Sequence, residues 1–136
     1  MGNVLKAGIF YFFGVFALGF VLGTMRVFLL VPHIGPEIAV LIEIPLLLLF
    51  AWFFCRFLTA RLDVSPETYD RLVMGSVAFA LMIAGEALIA TQLQALSVGE
   101  FLVAFDLPEN RIGLGGQIAF ALFPVIQSYA ATKGGR

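Results

Sequence analysis

Four apolar stretches, each roughly 18–20 residues long, fill most of the 136-residue chain, and at about 1.5 Å per residue each reaches across a hydrocarbon layer of about 30 Å. In hydrocarbon every backbone N–H and C=O must find its partner inside the protein, so stretches of this kind fold as helices. The charge content agrees: 12% of residues are Asp, Glu, Lys or Arg, about half the share of roughly 25% in soluble domains. The expected fold is an all-α integral membrane protein, a single four-transmembrane-helix bundle of up-down-up-down order. A formal net charge of −1 and the lack of any basic run argue against nucleic acid as a partner. Cys55 is the one cysteine, which excludes an intrachain disulfide and a cysteine-based metal cluster.

The spans are expected at about 7–31, 37–57, 70–94 and 111–131. The first is too long for a secretory signal and has no small-residue cleavage site, and Lys6 stands where N-myristoylation requires Ser or Thr. No cleavage or acylation is therefore expected. Gly35-Pro36-Glu37 marks a break and a new helix start, so spans one and two should form a tight antiparallel hairpin. Ser65 and Pro66 suit the cap and first turn of the third helix. Ser97 followed by Glu100 is a capping-box pair, and Val98, Phe101, Leu102 and Phe105 recur at helical spacing. This segment, about 98–106, is expected to be a short interfacial helix before the fourth span, ended by Pro108. The tail from Lys133 to Arg136 is expected to be disordered.

Arg56, Arg61 and Arg71 all lie around the connection between spans two and three, with Lys6 near one terminus and Lys133 and Arg136 at the other. By the positive-inside rule both termini are expected in the cytoplasm. Trp52, Tyr69 and Tyr129 suit the same interface. A bacterial inner membrane is the expected location.

Polar residues inside spans carry most of the functional information, because an unpaired charge at mid-membrane costs roughly 2.5–3.5 kcal/mol. Each span contributes one: Arg26, Glu43, Glu86 and Gln117, all in the same half of the bundle. Gly19, Gly23 and Arg26 fall at i, i+4 and i+7, so the arginine shares a small-residue stripe and should point at another helix. In the third span Gly75, Phe79, Met82 and Glu86 share a face, flanked by Ser76, Ala80, Ala84 and Ala87, and this side is expected to be buried. Gly113, Gln117, Ala121 and Pro124 line up in the fourth. Pro45 and Pro124 free the carbonyls of Leu41 and Phe120, which offers backbone acceptors to a ligand or ion.

One cation against two carboxylates leaves the cluster unbalanced, so a proton or an external cation must complete it. His33 and Glu37 are placed at its mouth. Two functions follow as expectations. One is a proton- or cation-linked transporter or channel-like oligomer that uses Arg26, Glu43, Glu86 and Gln117 as its site. The other is an accessory or structural subunit that binds another membrane protein or lipid, with the cluster serving only to lock helix register. No catalytic residues, metal ligands or cofactor are expected, and the protein is not expected to be an enzyme. His33 with Glu37 is the only acid/base pair on offer. The expected partners are the lipid bilayer and a second copy or another membrane protein.

Overall fold

The computed structural model describes residues 1–134 and is helical nearly throughout. Helix α1 runs Gly2–Ile34, α2 Pro36–Arg61, α3 Thr68–Gln92, and α5 Pro108–Gly134; these four are long and apolar enough to cross a membrane. The short α4, Val98–Val103, continues as a tight turn over Ala104–Asp106 before α5. At 33 residues α1 is about 50 Å long, well beyond the roughly 30 Å that a span requires.

One turn of α1, Arg26–Leu30, is π-helical, with the N–H of Val31 donating to the carbonyl of Arg26 five residues earlier. Pro32 supplies the reason. Its ring lacks a donor and would press on the carbonyl of Phe28, and a widened turn lets the helix continue past it. A single residue, Gly35, joins α1 to α2, at a φ of +84° that L side chains rarely adopt. Pro36 then starts α2 with its φ already helical.

The α3 helix starts later than the sequence implies. Ser65 Oγ accepts from the N–H of Glu67 in a local turn, Pro66 stays outside the helix, and Glu67 takes the cap position without a side-chain bond. Arg71, counted above as a loop charge, is buried and donates to the carbonyls of Val64 and Ser65, which pins the α2–α3 connection to the bundle. The capping box on α4 is present, with Glu100 N–H donating to Ser97 Oγ at 3.1 Å and Ser97 N–H donating to Glu100 at 2.8 Å. Asn110 donates to the carbonyl of Ala104 at 2.7 Å and fixes the turn between α4 and α5. Lys133 and Gly134 belong to α5 rather than to a disordered tail, while Gly135 and Arg136 lie outside the described residues.

The core occupies one half of the bundle: Val4, Ala7, Tyr11, Phe12 and Val15 of α1, Ala51, Cys55 and Leu58 of α2, Met74, Ala78 and Met82 of α3, and Phe120 of α5. Small residues set its density. A Cβ on Gly75 would run into the carbonyl oxygen of Ala121, and one on Gly8 would lie 2.9 Å from the carbonyl oxygen of Met74. Cys55 is fully buried in this core as an apolar filler. Beyond Val15, α1 has no buried residue, and Phe20, Val21, Met25, Val27, Phe28 and Leu29 are all exposed. On α3 the buried face runs through Gly75, Ala78 and Met82. Ser76, Ala80 and Ala84, expected inside, face outward.

Candidate functional site

Because α1 stops packing tightly after Val15 while its neighbours continue, the other half of the bundle leaves a half-open cavity of about 520 Å³. Arg26 and Gly23 of α1, Glu43 of α2, Glu86 of α3, and Gly113 and Gln117 of α5 all line it, so the four polar positions singled out in the sequence share one space. The remainder of the lining is mostly apolar, with Phe16 and Phe20 on the α1 side and Phe101 and Phe105 folded over it from the α4 segment.

The polar groups form two pairs. Arg26 Nε meets Glu43 Oε2 at 2.6 Å as an ion pair beside Gly23, whose missing side chain leaves room for it. The contact is one of charge without alignment, since neither of these two buried atoms has a hydrogen bond of proper geometry. Their side chains are 25% and 12% exposed, so the pair is partly screened. In the second pair Gln117 Nε2 donates to Glu86 Oε1, while Gln117 Oε1 is buried with no partner. Among the described residues no hydrogen bond or ion pair links the two pairs. Arg26 thus faces one carboxylate, and the other rests on a neutral amide.

Glu109 also lines the cavity, one stripe position above Gly113 and two above Gln117. Its i, i+4, i+8 relation to those residues is the signal for it in the sequence, a weak one because acids are common in the first turn of a helix. Thr24, Gln94 and Asn110 complete the polar part of the lining.

Several expected participants lie elsewhere. His33 and Glu37 are exposed and do not line the cavity. Pro45 is exposed on α2 rather than set in a helix seam, whereas Pro124 is fully buried. The carbonyl of Phe120, freed by Pro124, is not offered to a ligand: Tyr11 Oη donates to it at 2.7 Å, and the two rings stack at 4.2 Å between centroids. Gly19 and Gly23 face α2 within the same chain, Gly19 against Leu47 and Gly23 against the ion pair.

The chain matches no protein-family model, no curated protein and no solved structure.

Proposed function

We propose that the protein is a membrane transport protein, not an enzyme, that binds a proton or a cationic solute in this cavity. One observation carries the reading: a single guanidinium faces the cavity together with three carboxylates, Glu43, Glu86 and Glu109, and its ion-pair contact is already with Glu43. A carboxylate in a low-dielectric space is expensive to leave without a counter-charge, so Glu86 calls for a proton or a cation. A register lock would require neither the open volume nor the second carboxylate.

In this reading the helices cross up-down-up-down with both termini in the cytoplasm, which the exposed Arg56 and Arg61 at the end of α2 support. The packed half closes the cavity at its base, so passage across the whole membrane requires movement of α1 against its neighbours or a pathway shared between copies. The π-turn at Arg26 is a suitable place for such movement, since a widened turn can shift its hydrogen-bond register at low cost.

Reconstituted protein in liposomes tests the reading through proton flux and driven cation uptake. Glu86→Gln should abolish flux and Glu43→Gln should reduce it, with folding checked by gel filtration. Wild-type flux in both variants would refute the proposal.

A second reading, an accessory subunit, is favoured by the outward-facing Ser76, Ala80 and Ala84, whose i, i+4, i+8 spacing gives a smooth ridge on which another helix could seat closely. Cysteine crosslinking at position 80 in native membranes separates the two: a crosslinked second copy fits the oligomeric transporter, and a crosslinked different protein fits the accessory role.

A further inference from the structure

We infer that the solute is a lipophilic organic monocation, held against Glu86 and admitted from the lipid side past Phe20, Val27 and Phe28; this rests on the transport reading above and narrows it. The composition of the cavity wall makes the selection. An inorganic ion gives up its water only to a close set of oxygens, and among the described residues no group of three His, Cys, Asp or Glu side chains stands together to supply one. An anion would meet three carboxylates against one guanidinium. A strongly polar neutral solute would strand its hydroxyl or amide groups against a mostly apolar wall.

A cation that carries its own apolar surface avoids all three penalties. It loses little hydration on leaving water, fills a volume of about 520 Å³ with hydrocarbon, and needs one carboxylate for charge balance. Phe16, Phe20, Phe28, Phe101 and Phe105 line the cavity, and aromatic rings attract such a charge. Gln117 holds Glu86 toward the space.

The way in follows from exposure. Phe20, Val27 and Phe28 line the cavity and are nevertheless 52%, 51% and 73% exposed, so the wall they form is open on its outer flank. That flank belongs to a helix placed in hydrocarbon, where a lipophilic cation already concentrates.

Equilibrium binding of tetraphenylphosphonium to the full chain in phosphatidylcholine nanodiscs, against empty discs, is the test. Saturable binding is expected, weakened about tenfold or more by Glu86→Gln and partly retained by Glu86→Asp. Excess tetramethylammonium or sodium, equal in charge without the apolar surface, should not displace it. Val27→Trp should slow both the approach to saturation and the release of bound tetraphenylphosphonium about fivefold or more, the expected result of narrowing a path without touching the charge contact. Binding no greater than in empty discs, or saturable binding indifferent to Glu86→Gln, would overturn the assignment. An unaltered rate in Val27→Trp would overturn the lipid-side path. Proton flux that depends on Glu86 without any tetraphenylphosphonium binding would leave the transport reading in place and remove this one; loss of both would remove both.

Discussion

The two halves of the bundle solve the same problem, polar groups among apolar helices, in opposite ways. In the packed half the long-range polar bonds end on main-chain oxygens: Tyr11 on Phe120 and Gln127 on Trp52 at 2.7 Å. In the cavity half they run from side chain to side chain, Arg26 to Glu43 and Gln117 to Glu86. A carbonyl in a helix cannot move away, so the first kind of bond fixes helix position. Two side chains can exchange partners through rotamer changes alone, so the second kind leaves room for a third party. The contrast in packing runs in parallel, with Gly8 and Gly75 set directly against the backbone of a neighbouring helix in one half and an open volume in the other.

The largest break in this contrast should come from Gly75→Leu. Even a Cβ there collides with the carbonyl oxygen of Ala121, and a backbone atom cannot swing aside. A loss of about 3 kcal/mol or more is expected, seen as absent or aggregated protein in gel filtration. Monodisperse protein with wild-type thermal stability would show that the α3–α5 seam is looser than described.

Arg26→Ala ranks next. It leaves Glu43 inside the bundle without its ion-pair partner, which in a fully buried site costs about 3–5 kcal/mol and here less, because both side chains are partly exposed. The double variant Arg26→Met with Glu43→Leu should recover most of the lost thermal stability, since it removes both charges and keeps the volume. Recovery of stability without recovery of flux would separate the fold from the site within one pair.

Tyr11→Phe is smaller and belongs to the other half. It leaves the ring stack in place and deprives the Phe120 carbonyl of the Tyr11 hydroxyl, at a cost of about 1–2 kcal/mol. Thermal unfolding in detergent should register that loss, while flux per folded molecule stays at the wild-type level. A matching fall in flux would mean that the packed half takes part in transport.

The features of the molecule were unequally legible in its sequence. The spans, the break at Gly35, and the Ser97/Glu100 cap were legible because each needs only local chemistry: apolar length, a backbone that must turn, or two side chains three residues apart. That Arg26 needs a carboxylate partner was legible because hydrocarbon leaves a lone charge few alternatives, whereas the choice of Glu43 over Glu86 was not. The faces of α3 were not, since a helix apolar on nearly every side carries little periodicity to read, and Ser76, Ala80 and Ala84 turned out to look outward. Nor was the role of Tyr11, one aromatic among fifteen phenylalanines, whose partner is an oxygen released by a proline more than a hundred residues away. The π-turn depends on how Pro32 meets the carbonyl before it, and the aromatic cover over the cavity depends on how α4 folds back. Both are tertiary outcomes of residues that locally look ordinary.

The smallest expected effect is the sharpest check on the contrast between halves. Gly19 and Gly23 form the same small-residue pattern as a tight helix seam, yet a Cβ on Gly19 would rest at 3.5 Å from Leu47, an ordinary contact, and one on Gly23 at 3.7 Å from the Arg26 guanidinium. Gly19→Ala should therefore leave stability unchanged or raise it by up to about 1 kcal/mol through helix propensity, and flux should stay at the wild-type level. Gly8→Ala, of identical chemistry on the same helix, would sit 2.9 Å from the carbonyl oxygen of Met74 and should destabilise. If thermal unfolding ranks the two in the reverse order, the cavity half is the close-packed one, and the space assigned to a solute is filled in the working protein by the helices themselves.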